Sequence, residues 1–170
     1  MDRIALVAFV GQGIPTLALV LAFGVGVVAG LRSMTAPAVI AWAAHLGWIN
    51  LAGSHFAFMG SPWTVGIFTV GALGEFVADL LPNAPARTAA AGLTARIVTG
   101  SLSAACLGVA GSASPWAAAL LGAVGAFAGA FGGYQVRVGL VRALKVPDLA
   151  IAIPEDLVAI GLGLLLTSRL

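Results

Sequence analysis

Glu75 and Asp79 stand four residues apart in the stretch Gly74-Glu75-Phe76-Val77-Ala78-Asp79-Leu80-Leu81-Pro82. On a helix that spacing puts both carboxylates on one face. They close an apolar run that begins at Trp63 and is long enough to cross a bilayer. A carboxylate in such a run is costly, and it turns toward protein or water rather than lipid. Acids held this way can carry protons or balance a cation. Arg32 and Arg96 offer the complementary chemistry, because a guanidinium suits phosphate or carboxylate. They recur in one pattern, Arg32-x-x-Thr35 and Arg96-x-x-Thr99. Arg137 and the pair Glu155-Asp156 complete the set.

Two uses of these residues stand side by side. They could line a substrate path, with Arg32 and Arg96 binding an anion and Glu75 or Asp79 coupling to protons. They could equally be structural ion pairs that lock helix ends together, since pairing is the commonest remedy for charge near a membrane. The candidate network is therefore Arg32, Thr35, Glu75, Asp79, Arg96, Thr99, Arg137, Glu155 and Asp156. His45 and His55 read as interface residues. The sequence shows no nucleophile–base pair, His cluster or metal-ligand spacing, so neither an enzyme, a metal nor a cofactor is expected. Cys106 is the single cysteine and sits among apolar neighbours, where a buried thiol is the default.

The bulk composition sets the surroundings. Of 170 residues, 61% are hydrophobic and 8% charged, against about 25% charged in a soluble domain. Mean hydropathy is +1.09. Too little polar surface remains to cover a soluble globule. The eight basic residues are scattered without a patch, which excludes a nucleic-acid surface. At about 20 residues per crossing, the chain makes one membrane domain over 1–170. The expected fold is all-α, a polytopic bundle of about six transmembrane or re-entrant helices.

The helices follow from their punctuation. The first covers about Pro15–Gly30, after a break at Gly13 and Pro15; a cleaved signal peptide is the rival for this stretch. Thr35 caps a second, with Pro37 in its first turn. Its apolar part ends near Gly47, about 18 Å along a helix, so 33–49 is short, tilted or re-entrant. Ser61-Pro62-Trp63 opens a third helix that stops at Pro82. A turn over 82–87 and a short interfacial helix over 88–94 lead to a fourth, from Arg96 to Gly111. Ser114-Pro115-Trp116 opens the fifth, whose Gly122, Gly125, Gly129, Gly132 and Gly133 leave one face nearly bare. That face suits packing within one chain or between protomers of a homo-oligomer. The sixth helix starts at Pro154-Glu155-Asp156, acids that complement its dipole.

Two hairpins resemble each other, over 30–81 and 94–137. The Arg-x-x-Thr and Ser-Pro-Trp elements recur, with Ala41 matching Ala105 and Gly47 matching Gly111. Six crossings put Arg32, Arg87, Arg96, Arg137, Arg142 and Lys145 on one side against Arg3 and Arg169 on the other. That bias makes the first side cytoplasmic and both termini non-cytoplasmic. Trp48, Trp63 and Trp116 fall on the outer side, as an aromatic belt does.

Gly30-Leu31-Arg32, Ser61-Pro62-Trp63, Glu75-x-x-x-Asp79-x-x-Pro82, Arg96-x-x-x-Gly100 and Glu155-Asp156 together resemble the bacterial membrane family called domain of unknown function 4126. The resemblance covers nearly the whole chain. Family members carry a basic residue after the Asp and an acid beyond the Pro, where this chain has Leu80-Leu81 and Asn83-Ala84. The resemblance implies a small polytopic inner-membrane protein and brings no activity with it. The residues themselves lead to a transporter or translocase for an anionic solute or lipid head group in contact with membrane lipid. The alternative is a non-transporting membrane scaffold or assembly protein.

Overall fold

The computed structural model describes residues 3–79 and 89–170, with side chains from Pro15 onward. Six α-helices and one 3-10 turn make up these residues: α1 (Arg3–Leu31), α2 (Thr35–His45), a 3-10 turn (Ala57–Gly60), α3 (Pro62–Asp79), α4 (Ala90–Ala110), α5 (Pro115–Leu144) and α6 (Asp148–Thr167). The chain is thus an all-helical membrane bundle. α4, α5 and α6 are each long and apolar enough to cross a bilayer, and Pro15–Leu31 is a shorter apolar helix. Large apolar side chains cover the outside, among them Ile67, Val70, Val77, Leu120, Val124 and Leu157. Such a surface suits hydrocarbon and not water.

α1, α4 and α5 form one closely packed trio. The cause is glycine. A Cβ on Gly26 would stand 2.2 Å from the Gly122 carbonyl oxygen, and one on Gly125 would stand 2.2 Å from that of Phe23. On its other flank Gly122 meets Gly100 and Ala104 of α4. Backbone therefore rests on backbone, the arrangement small residues permit in membranes. The expected glycine face of α5 is used here within the chain at Gly122, Gly125 and Gly129, while Gly132 faces open space. α2, α3 and α6 form a second, looser trio: α2 packs on α3 and α6, and α6 packs on α1 as closely as on α2 and also touches α5. Ile40, Met59, Val28, Cys106 and Leu107 fill the core where the trios meet.

Several boundaries differ from the sequence expectation. α1 runs through Pro15, which lies inside it. A proline removes one helix hydrogen bond, a loss tolerated within a packed membrane helix. α2 has 11 residues, about 16 Å, so it is short as expected and cannot span. Thr35 is not its cap. The N-cap is Met34, with no side-chain hydrogen bond, and Thr35 is the first helical residue. The separate interfacial helix is absent over 90–94, because α4 already starts at Ala90. The turn over 82–87, the stop at Pro82, Thr88 and Arg87 lie outside the described residues. α5 extends to Leu144, where Lys145 adopts the left-handed conformation (φ 53°) that ends it. α6 starts at Asp148, and Pro154 lies inside it. Glu155 and Asp156 are consequently two turns into α6 and not in its first turn.

The two Ser-Pro-Trp elements behave alike. Ser61 accepts from the Thr64 N–H at 3.2 Å, and Ser114 accepts from the Ala117 N–H at 3.4 Å. Each serine caps a helix whose first residue is proline, and Trp63 and Trp116 project outward.

The glycine contact makes a direct prediction. Gly125→Val should lower stability in detergent by about 1–3 kcal/mol through overpacking. Gly132→Ala, which meets nothing within 4 Å, should leave the unfolding midpoint unchanged or raise it. Equal loss for both substitutions would mean that the glycines matter only through helix propensity.

Candidate functional site

The charged residues named from sequence meet in one layer, and they divide by trio. The arginines belong to the glycine-packed trio: Arg32 directly follows α1, Arg96 is on α4, and Arg137 is on α5. The carboxylates belong to the other: Glu75 and Asp79 on α3, and Asp148, Glu155 and Asp156 on α6. The ion pairs therefore form a seam between the trios.

Arg32 is wholly buried. Its Nη1 donates to Asp79 Oδ2 at 2.5 Å, and its Nε and Nη2 both reach Asp156 Oδ1. One planar guanidinium thus ties α1 to α3 and α6 at once. Only arginine has the fork geometry for this. The ring of Phe76 lies 5.4 Å from Arg32 Cζ and adds a cation–π contact.

Glu75 binds the chain segment that leads into α2. Its Oε1 accepts from the Ser33 N–H at 2.9 Å and from the Ser33 hydroxyl at 3.1 Å, and its Oε2 accepts from the Met34 N–H at 2.9 Å. These N–H groups open the approach to α2, where a carboxylate also meets the positive end of the helix dipole. A carboxylate from α3 caps α2 more strongly than a hydroxyl would. Thr35 Oγ1 is left without a hydrogen-bond partner among the described residues. Arg96 lies 3.5 Å from Glu75 and also donates to the carbonyls of Gly30 and Gly92, at 3.0 and 3.2 Å. It ties the last turn of α1 to α4. The Thr99 hydroxyl bonds within its own helix, to the carbonyls of Ala95 and Arg96. Both threonines thus lie outside the ionic pairing expected of them.

Arg137 anchors the remaining part. It pairs with Asp148 through Nε (2.7 Å) and Nη2, lies 3.3 Å from Glu155, and lies 3.9 Å from Asp79. From sequence Asp148 reads as part of the polar linker with Arg142, Lys145 and Pro147, outside the ionic network; the structure makes it the first residue of α6. Its signal was the Pro147-Asp148 start of a helix, which puts Asp148 and Glu155 two turns apart on one face. Ser33 and Phe76 were likewise missed, since a backbone amide and a ring face carry no charge pattern.

The seam meets the ends of α1 and α3, at Arg32 and Asp79, but lies inside the longer helices. Arg96, Arg137 and Asp156 sit six, seven and eight residues inside α4, α5 and α6. Those helices project past the layer by roughly 9–12 Å. Asp148, the first residue of α6, is the most exposed member of the seam.

A groove opens beside it. It has a volume of about 430 Å³ and runs between α1, α5 and α6. Its walls include Val27, Leu31, Gly132, Ile151 and Val158, and its charged members are Arg137 and Glu155. Gly132 faces the open space of the groove, while a Cβ on Gly133 would stand 2.5 Å from Leu31 of α1.

At the opposite end, His45 Nδ1 lies 2.9 Å from the Gly60 carbonyl, a tie between α2 and the 3-10 turn. Among the described residues no group of three His, Cys, Asp or Glu could hold a metal ion.

The model of one family, described as a domain of unknown function (DUF4126), matches residues 19–168. No curated protein and no solved structure matches the chain.

The buried half of the seam should behave as structure. Arg32→Gln leaves two carboxylates facing each other and should cost about 3–5 kcal/mol, the range for breaking a buried pair, read as a lower unfolding midpoint in detergent. Thr99→Ala should change it little. An unchanged midpoint for Arg32→Gln would mean that Arg32 does not hold the trios together.

Proposed function

The chain belongs to the DUF4126 family, and we propose that it is a small multi-pass transporter or translocase of the bacterial inner membrane. Its substrate is an anionic solute or lipid head group, and the ionic seam is its gate. The observation that carries this reading is the division of charge. Every arginine of the layer is on one rigid trio and every carboxylate on the other. Ion pairs meant only to tie a bundle together need no such division. A latch between two moving bodies does, because it must break all together and re-form. Substrate anions compete with carboxylates for arginine, and protons compete with arginine for carboxylates. Either exchange loosens the seam.

The work divides within the seam. Arg32 and Arg96 are buried and bound on several sides, so they are the hinge side of the latch. Arg137 pairs with the exposed Asp148 and lines the groove, so it meets substrate first. The seam side faces the cytoplasm and both termini face away, following the excess of Lys and Arg on that side.

A second reading has its own support. Glu75 caps α2 and Arg32 is wholly enclosed, which suits a scaffold whose ion pairs only fix the fold.

Spin labels on Val77 of α3 and Val98 of α4, both exposed, separate the two. In the double variant Asp148→Asn with Glu155→Gln, the labels should populate a second separation longer by about 1–5 Å, the scale of helix shifts in switching proteins. Vesicles holding the unaltered chain should expose a head-group-labelled phospholipid or release an enclosed anion, and Arg137→Gln vesicles should do neither. A folded variant with one unchanged separation and no flux would establish the scaffold.

A further inference from the structure

The outward face of α5 carries a pattern that the seam does not use. Trp116, Leu120, Val124, Phe127, Phe131 and Tyr134 are all exposed. They follow one another by three or four residues, so they form one stripe along the helix. The stripe lies opposite Gly122, Gly125 and Gly129, which meet α1 and α4. Trp116 opens it and Tyr134 closes its apolar part. The two stand 18 residues apart, roughly 27 Å of helix. That is close to the ~30 Å of a bilayer's hydrocarbon core, and aromatic rings of this kind mark its two boundaries.

Beyond Tyr134 the same stripe changes chemistry. It passes through the half-buried Val138 to Arg142 and Lys145, which are both exposed. α5 has 30 residues, about 45 Å, so its last turns stand outside the hydrocarbon on the seam side. Side chains on a helix lean toward its N-terminus, which turns Arg142 back toward Tyr134 and the bilayer. The long apolar stems of arginine and lysine bring their charged ends into the head-group layer. No protein group holds either cation. Every described Asp and Glu pairs with Arg32, Arg96 or Arg137, and Asp148, the nearest acid along the chain, is held by Arg137.

The partner of these two cations therefore comes from outside the chain. It is anionic, it lies at head-group depth, and it borders an apolar stripe. A phospholipid of net negative charge meets all three conditions. A zwitterionic lipid brings its own ammonium, which two cations repel. We propose that Arg142 and Lys145 form a site on the outer surface of α5 for the head group of an anionic phospholipid, whose acyl chains lie along Phe127, Phe131 and Tyr134. This lipid stays on the outside of the bundle and is not the substrate of the seam, so the inference stands apart from the reading of the seam as a gate.

Lipid selectivity supplies the test. Purified full-length chain is incubated with phosphatidylglycerol or phosphatidylethanolamine of identical acyl chains, and bound lipid is counted by native mass spectrometry. One basic side chain at the membrane surface favours an anionic lipid about five-fold, so two should favour phosphatidylglycerol about 25-fold at low salt. High salt should shrink that preference. The double variant Arg142→Gln with Lys145→Gln should abolish it and leave the unfolding midpoint in place, because both side chains are exposed. Arg169→Gln, at an exposed cation near the other end of the bundle, should keep it. In the unaltered chain, phosphatidylglycerol with a photoreactive acyl chain should label peptides within Phe127–Lys145. Equal binding of the two lipids by the unaltered chain overturns the proposal, as does a preference that survives in the double variant or labelling confined to other helices. A preference lost in Arg137→Gln and kept in the double variant also overturns it and places the anionic head group in the seam. None of these readouts depends on transport.

Discussion

A guanidinium with no exposure to solvent, inside a bundle that is apolar within and without, is the constraint around which this chain is arranged. Arg32 follows the last residue of α1 and would be prohibitive there alone. Its cost is offset by carboxylates on two other helices and by the ring of Phe76. Meeting that need fixes how far α3 and α6 slide along α1, because Asp79 and Asp156 must arrive at one height. Glu75, one turn before Asp79, then arrives at the start of α2 and caps it. Arg96 closes the circuit by tying Glu75 to the Gly30 carbonyl. A single buried charge thus sets the register of four helices, and the short α2 owes its start to a residue on another helix.

The two trios are held by different physics. α1, α4 and α5 meet through glycine backbones, where contact is steric and close. The second trio meets the first through charge at one end and through larger side chains such as Ile40 and Met59 below. Steric contact of bare backbones is short-ranged and leaves no loosened intermediate. Ion pairs can be exchanged for other ions. The division of chemistry therefore follows the division between close backbone packing and looser side-chain contact. The glycines that let α5 approach α1 continue to Gly133, which meets Leu31, while Gly132 faces the groove.

Much of this was legible in the residues. The membrane class followed from charge depletion, and both Ser-Pro-Trp helix starts followed from capping chemistry that is local and therefore readable. The layer of Arg32, Glu75, Asp79, Arg96, Arg137, Glu155 and Asp156 followed from counting residues inward along helices. What was not legible depended on contacts between helices. Thr35 has the right type and place for a cap, yet the carboxylate of Glu75 displaces it from that role. Pro154 looks like a helix start, yet Pro147-Asp148 offers an earlier one, and the strongly apolar run between them carries the helix through. Asp148 joined the layer only once that start moved. The partition of bases and acids between trios could not be seen before α1, α4 and α5 were known to pack together.

The glycine contacts and the ion pairs also differ in how they respond to heat. A glycine has no rotamers to lose, so closing Gly26 on Gly122 immobilises no side chain. Each arginine of the seam gives up about 2 kcal/mol of rotamer freedom when it is held. That penalty grows with temperature, and the backbone contact carries no such term. The cost of ordering side chains is therefore concentrated in the seam and absent from the glycine contacts that join α1, α4 and α5.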